Sequence, residues 1–173
     1  MALNTALDEA LEAWQYTRSG IISEIRNLPD VSLTFRPTPT ARTAAEIAIH
    51  IVESGLMMSG ELSRPDGNFR RKSFPQFMKE YAKGIKPLGA KPNKKQLVQL
   101  LTKTQADGAQ KLANAGDLHM LQLITRFDGV QGTRLAWMNH GISHEEYHRG
   151  QLALYARLVG RVPALTQLIY GKK

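Results

Sequence analysis

Three histidines recur at intervals of four residues near the end of the chain: His140, His144 and His148. Four residues on an α-helix correspond to a rotation of about 40° and a rise of about 6 Å, so neighbouring members of this series share one face. Two imidazoles at this spacing can bind one metal ion. His140 and His148 would lie about 12 Å apart along the helix and could not reach the same ion. The ligand pair is therefore either His140 with His144 or His144 with His148.

A pair of histidines leaves a metal site incomplete, and His50 and His119 are the two further imidazoles of the chain. His50 lies in the apolar, helix-like run 44–55, where its ring must point into a packed interior or a pocket. His119 lies beside a predicted helix end or loop, so His50 is the better third ligand. The alternative is that each histidine is an ordinary core or surface residue with one hydrogen bond. An i, i+4 pair together with a histidine on a second buried helix favours the metal site.

The overall composition bounds the kind of protein. A chain of 173 residues can bury one hydrophobic core, and we predict a single domain over residues 1–173. The sequence contains no cysteine, which excludes disulfides and thiolate metal ligands and leaves imidazole and carboxylate. No basic leader resembles a signal peptide, and no apolar run reaches the roughly 18–20 residues that cross a bilayer. We therefore expect a cytoplasmic protein that does not associate with membranes.

The net charge of +8 belongs to one part of the chain. The segment 61–111 contains twelve basic and four acidic residues, whereas the rest of the chain is neutral. This segment has no interleaved aromatic series and no nucleic-acid recognition motif, which argues against a nucleic-acid partner. We interpret its lysines as solvated surface residues. The alternative is that they attract a small anionic substrate.

Helical periodicity dominates the rest of the sequence. Apolar residues at helical spacing predict long helices over about residues 3–28, 44–60, 93–116 and 133–160. Four amphipathic helices with a long connection between the second and the third are typical of an all-α four-helix bundle with a crossover connection. Such bundles build metal sites from side chains on facing helices, which suits one ligand from the second helix and two from the fourth.

Local signals locate the helix ends and the connections. Thr43 with Glu46 forms a capping-box pattern at the start of the second helix, and Asn93 is predicted to cap the third. A short helix is expected to open at Ser73, and a loop is expected over residues 83–92. Residues 117–132 either pair as a short hairpin or simply cross the bundle.

The run from His144 to Leu152, HEEYHRGQL, is followed by YARLVG and a proline. It resembles the end of the last bundle helix in the DinB/YfiT-like superfamily. The segment 37–54, PTPTARTAAEIAIHIVES, resembles the second helix of that family, which carries a single ligand histidine. Both motifs stand in the family's order and at the expected separation. The resemblance spans most of the chain and implies a DinB-like metal-binding four-helix bundle.

The resemblance implies that His50, His144 and His148 bind a divalent metal ion. Zinc is the first expectation, with nickel, iron or manganese as alternatives. The resemblance also chooses the pair that precedes Arg-Gly-Gln, which leaves His140 outside the ligand set. Three neutral imidazoles leave a position for water or substrate, as in a catalytic zinc site. The family resemblance further implies a homodimer packed through bundle helices.

Members of this superfamily include thiol-dependent transferases and isomerases as well as metal-dependent hydrolases. Our first hypothesis is an enzyme whose metal binds a low-molecular-weight thiol cosubstrate, lowers its pKa and presents a thiolate to an electrophilic substrate. The second is a hydrolase that uses metal-bound hydroxide. The third is a non-catalytic, metal-stabilised bundle that acts through an interface.

Hydrolysis is assisted by a positioned general base, and the candidates are Glu53, Glu145 and Asp128. No motif marks any of them, which favours thiol transfer. Arg149 and Gln151 also match the motif at the end of the last helix of that family. Their ordinary role would be hydrogen bonding between helices, and Arg149 is in addition a weaker candidate for substrate binding.

Overall fold

A computed structural model describes residues 5–84, 88 and 92–171. Four long helices dominate these residues, and three shorter helices and one β-hairpin join them. The helices are α1 (Ala6–Asn27), α2 (Ala44–Ser63), α3 (Phe74–Tyr81), α4 (Lys94–Ala115), α5 (Asp117–Met120), α6 (Arg134–Leu158) and α7 (Ala164–Tyr170). The hairpin strands are β1 (Leu123–Thr125) and β2 (Gln131–Thr133), and two short 3₁₀ turns occupy Asp30–Thr34 and Ala82–Gly84.

The four long helices form a bundle in which the first and second long helices are not neighbours, whereas the second and third, α2 and α4, pack together. Helix α1 packs against α4 and α6, helix α2 packs against the same two, and α1 and α2 have little contact. This confirms the predicted all-α four-helix bundle. The predicted crossover between the second and third long helices stays a prediction, because residues 85–87 and 89–91 of that connection lie outside the described residues.

Local sequence signals set the helix ends as predicted. The Thr43 hydroxyl accepts a hydrogen bond from the Glu46 amide at 3.1 Å, and the Glu46 carboxylate accepts one from the Thr43 amide at 2.6 Å. These two bonds satisfy backbone donors that a helix start leaves unpaired. The hairpin alternative for residues 117–132 is confirmed, with Ile124 opposite Gly132 in an antiparallel pair. Most of the predicted 83–92 loop lies outside the described residues.

Helix α7 was not predicted from the sequence. It follows Pro163, and the buried carboxylate of Glu24 on α1 accepts hydrogen bonds from the backbone amides of Ala164 and Leu165 at 3.0 and 3.4 Å. A carboxylate at this position satisfies free N–H groups and favours the helix dipole. The partner that stabilises α7 is about 140 residues away in sequence, so local patterns give no sign of it.

Two apolar clusters form the core, one towards each end of the bundle. The first surrounds the N-terminal half of α2 and includes Ile47, Ile51 and Leu152. The second surrounds the C-terminal half of α2 and includes Met58 and Ile142. The seam between α2 and α6 carries polar side chains at the level between these clusters.

No helix in the described ranges combines the length and apolar character that a membrane span requires. The cytoplasmic location expected from the sequence stays a prediction.

Candidate metal centre

Three imidazoles converge on the seam between α2 and α6. The Nε2 atom of His144 lies 3.1 Å from Nε2 of His50 and 3.0 Å from Nε2 of His148. The three possible ligand atoms all lie within 4.8 Å of one another. His144 and His148 are one helical turn apart on α6, and His50 faces them from α2. The structure thus brings together the three histidines that the sequence resemblance selected.

Burial keeps these imidazoles neutral. Desolvation, followed by the positive charge of Arg42 and the two neighbouring imidazoles, lowers the pKa of His50 to about 4. Desolvation is also the largest cause of the lowered pKa values of His144 and His148. A neutral imidazole has a free lone pair on one ring nitrogen, which is the form that binds metal ions.

The donor set fits a divalent ion. Two nitrogens that each bind zinc at about 2.0–2.1 Å in tetrahedral geometry are about 3.3 Å apart, close to the separations between these Nε2 atoms. Three imidazole ligands with no thiolate suit zinc, nickel, iron or copper rather than calcium or magnesium. His50, His144 and His148 therefore form a three-ligand group that could hold such an ion.

Gln151 holds the ring of His148. The Nδ1–H group of His148 donates a hydrogen bond to the Gln151 side-chain oxygen at 2.8 Å. This bond fixes the tautomer whose Nε2 lone pair faces the other two histidines, the usual function of a residue behind a metal ligand. The sequence predicted that Gln151 contacts another helix, whereas this bond lies within α6. The i, i+3 spacing from His148 is the signal that indicates it.

The other two histidines lie elsewhere. His140 is exposed, and its ring contacts that of Trp137 with the ring centroids 4.8 Å apart. His119 forms a 2.9 Å hydrogen bond with the backbone oxygen of Leu62 at the end of α2. Neither belongs to the group of three converging ligand atoms among the described residues.

Two of the three candidate general bases, Glu145 and Asp128, form ion pairs with arginines. Glu145 is buried and accepts hydrogen bonds from the Arg18 guanidinium at 2.5 and 2.8 Å and from the Trp14 indole at 2.8 Å. Asp128 is exposed on the hairpin turn and forms an ion pair with Arg126 at 3.2 Å.

Glu53 is placed differently from these two. It lies on α2 one turn beyond His50 and is half-buried, and this burial raises the pKa of its carboxyl group. Among the described residues it has no hydrogen-bonding or ion-pair partner. Glu53 is therefore the candidate general base that remains available near the histidines.

Arg149 faces away from the three histidines. Its guanidinium bonds Glu146 at 3.0 Å and lies over the ring of Tyr16, 5.4 Å from the ring centroid. It lines a separate cavity between α1 and α7, next to Gly20. The structure does not bring Arg149 to the candidate metal centre.

Arg42 is a charged residue close to this centre in sequence, and no sequence motif marks it. Its backbone oxygen accepts a hydrogen bond from the Tyr155 hydroxyl at 2.8 Å, which ties the start of α2 to α6. The positive charge of Arg42 lowers the pKa values of His50, His144 and His148. Its side chain is exposed and forms no ion pair in the described part of the chain, and its charge also lowers the pKa of Glu53, against the larger raising effect of burial.

A cavity of about 230 Å³ adjoins His50 and His144, and we call it the aromatic cavity. It is open to solvent and lies between α2, α6, the start of α3 and the hairpin turn. The described residues that line it are His50, Ser54, Met57, Met58, Phe69, Phe74, Phe127, Trp137, His140, Gly141 and His144. The candidate metal centre thus adjoins an apolar cavity, and the positive charge of Arg42 acts on its three imidazoles.

The family model of the DinB family matches residues 1–171. The chain belongs to the DinB family. This confirms the resemblance that rests on the two histidine-bearing motifs. No protein of curated function matches the chain.

Solved structures of DinB-family proteins share the fold. The DinB-like protein YjoA from Bacillus subtilis is 17% identical with a TM-score of 0.65, and the alignment covers 89% of this chain and 93% of that one. A putative DinB-family member from Exiguobacterium sibiricum is 18% identical with a TM-score of 0.64, covering 92% and 95% of the two chains. YfiT from Bacillus subtilis, described as a probable metal-dependent hydrolase with an unusual four-helix bundle topology, is 12% identical with a TM-score of 0.66 over 90% and 88%.

The described part of the basic segment 61–111 supplies no charged side chain to the lining of the aromatic cavity in this DinB-family chain. Its two residues in the lining of the aromatic cavity are Phe69 and Phe74. Several of its cations are paired, and Arg71 bonds both Glu61 and Glu80. Attraction of an anionic substrate by this segment stays a prediction.

Proposed function

We propose that this DinB-family protein is a metal-dependent enzyme that transfers a low-molecular-weight thiol to an electrophilic substrate. The main support for this proposal is the environment of the three histidines. The described residues lining the adjoining cavity include no carboxylate, and Glu145 and Asp128 are bound elsewhere. A free thiol has a pKa of about 8.5, far below that of water, so it loses its proton on a metal ion more readily and with less need of a nearby general base.

The chain's own residues would hold the reactants. His50, His144 and His148 would bind the ion, and Gln151 keeps His148 in the required tautomer. When bound, such an ion acts as a Lewis acid that lowers the pKa of a thiol or a water molecule. Because the sequence has no cysteine, the sulfur must belong to a cosubstrate. The exposed guanidinium of Arg42 is suited to an anionic group on that thiol.

A metal-dependent hydrolase is the second candidate. Two observations favour it: the description of YfiT as a probable metal-dependent hydrolase, and the half-buried carboxylate of Glu53 one turn from His50. A raised pKa brings a carboxyl group closer to the value that suits general acid–base catalysis at neutral pH.

The two functions are distinguished with cobalt-loaded protein and a set of thiols that includes glutathione. Thiol transfer predicts a sulfur-to-cobalt charge-transfer band on addition of thiol, which is lost in His148→Ala and kept in Glu53→Gln. Hydrolysis predicts no such band, together with metal-dependent ester or amide cleavage that falls about 100-fold or more in Glu53→Gln. Absence of both signals would leave a non-catalytic bundle whose metal stabilises the fold.

The same titration tests Arg42. We expect Arg42→Ala to weaken the binding of glutathione about three- to tenfold and to leave neutral 2-mercaptoethanol unchanged, because an exposed charge pair contributes modestly. Arg36→Ala is the matched control, since Arg36 lies in the same loop and is paired with Glu46. An equal loss of affinity for both thiols would show that Arg42 does not bind the anionic group.

We extend the proposal to a homodimer. Apolar side chains are exposed on two helices: Leu168 and Tyr170 on α7 are 80% and 75% exposed, and Tyr147 on α6 is 64% exposed. Contiguous exposed apolar surface is typical of surfaces that pair with another protein, and we infer that these side chains contribute to such a surface. We expect light scattering at micromolar concentration to give twice the chain mass of 19.3 kDa. A monomer at that concentration would contradict this assembly.

A further inference from the structure

We propose that the aromatic cavity is the site that binds one aromatic ring of the substrate, with the substituent of that ring directed at the three histidines. The role of this ring as the electrophilic substrate rests on the function proposed above. Binding of the ring itself depends only on the cavity and can be measured without any reaction.

The size of the cavity sets the first limit on its ligand. An engineered apolar cavity of about 150 Å³ accommodates benzene, whereas pockets for drug-sized molecules measure about 300–1,000 Å³. The aromatic cavity, at about 230 Å³, lies between these values. It therefore has room for one ring with a short substituent.

The side chains that line the cavity determine which chemical class of ligand it can bind. Four aromatic side chains from separate parts of the chain meet there: Phe69, Phe74, Phe127 and Trp137. The rings of Phe69 and Phe127 are tilted with their centroids 5.0 Å apart, and those of Phe69 and Trp137 are edge-to-face at 5.6 Å. Walls of this kind offer both ring edges and ring faces, which favour another aromatic ring over a saturated one.

The other residues that line the cavity also favour an aromatic ligand. Met57 and Met58 supply polarisable sulfur, which contacts aromatic rings favourably and adapts to their shape. No charged side chain lines the cavity among the described residues, so a phosphate or carboxylate at its centre would be desolvated without a partner. A sugar would leave most of its hydroxyl groups unpaired for the same reason.

The histidines lie at one edge of the cavity, which gives a bound ring a preferred orientation. His50 and His144 form one edge of its lining, and His140 lies beside Trp137. A ring inserted among the phenylalanines would therefore place a polar substituent towards the imidazoles. This arrangement matches an apolar body that is held by the walls and a reacting group at the metal centre.

The open state of the cavity distinguishes it from ordinary core packing. Phe74 and Phe127 are 45% and 41% exposed although they belong to a cluster of aromatic rings. Exposed aromatic surface gathered around a concave site is typical of a ligand site. A ligand ring would cover this surface and remove it from water, which stabilises the complex.

The test uses benzyl alcohol as the ring probe and cyclohexylmethanol as its saturated counterpart. Binding is followed by tryptophan fluorescence, because Trp137 lines the cavity while Trp14 is fully buried elsewhere. We expect saturable binding of benzyl alcohol to both zinc-loaded and metal-free protein. Cyclohexylmethanol should bind about three- to tenfold more weakly, since it lacks ring–ring contacts.

Two variants of the same type locate the binding site. Ser54→Leu adds an apolar side chain to the lining and should reduce the affinity for benzyl alcohol at least about tenfold by filling the cavity. Ser143→Leu makes the same change at an exposed position of α6 and should leave the affinity unchanged. Phe127→Ala, on the exposed hairpin turn, should also weaken binding and does not depend on how Ser54→Leu packs.

The outcomes separate this proposal from the proposed function. Lack of saturable binding by the wild-type protein, or equal affinities in Ser54→Leu, Ser143→Leu and Phe127→Ala, would overturn the ring site. Ring binding that follows the expected order, in a protein that shows neither a thiol band nor thiol transfer, would support the ring site and reject the transferase.

Discussion

Replacing His144 by alanine should lower the affinity for zinc by more than about 100-fold, because changes behind a metal ligand already cost about 10- to 100-fold. His144 is the central ring of the three, 3.1 Å from His50 and 3.0 Å from His148 between Nε2 atoms. His50→Ala and His148→Ala should have effects of the same order. Metal content by elemental analysis and affinity by chelator competition measure the series.

Matched variants make the assignment specific. His140→Ala removes a histidine one turn from His144 on the same helix, and His119→Ala removes one that bonds the end of α2, so both should retain the metal. Gln151→Ala should fall between the two groups, because it loosens His148 without removing a ligand. A site emptied by His140→Ala but filled in His148→Ala would show that the other i, i+4 pair binds the ion.

The second large effect concerns stability. Glu145→Ala should lower the free energy of unfolding by about 3–5 kcal/mol, because it leaves a buried guanidinium without its counter-charge. The side chains of Arg18 and Glu145 are each 2% exposed. Arg18 also donates to the backbone oxygen of Leu101 at 2.9 Å, so the pair connects α1, α4 and α6. Urea unfolding of metal-free protein separates this loss from any change at the histidines.

Asp107 on α4 provides the control. It pairs with Lys103 at 2.6 Å, and the side chains of Lys103 and Asp107 are 73% and 50% exposed. Exposed ion pairs contribute about 0–1 kcal/mol, so Asp107→Ala should change stability little. If Glu145→Ala were no more destabilising than Asp107→Ala, the buried pair would not be a stabilising element of the bundle.

Features that depend on a few neighbouring residues could be predicted from the sequence. The capping box of Thr43 and Glu46 and the shared face of His144 and His148 each follow from spacing within one helical turn. The apolar surroundings of His50 already favoured it as the third ligand, although its partner His144 lies 94 positions away. The choice of His144 with His148 over His140 with His144 needed the family resemblance.

Features that depend on distant partners could not be predicted in this way. Arg42 lies in a loop, and its anchor Tyr155 is 113 positions away. The aromatic cavity joins side chains from four separate segments, which no local pattern relates. Glu145 was nominated as a general base, although its position on α6 between the buried residues Ile142 and Leu152 already indicated an inward side chain. Its partner Arg18 is 127 positions away.

The 94-residue separation of His50 and His144 affects folding as well as chemistry. In an unfolded chain, closing a loop of about 100 residues costs nearly 5 kcal/mol of conformational entropy, so the denatured ensemble would capture an ion by these ligands only weakly. The native bundle has already closed that loop through helix packing. Any ion it binds therefore favours the native state by mass action and acts as a reversible cross-link between the two halves of the sequence.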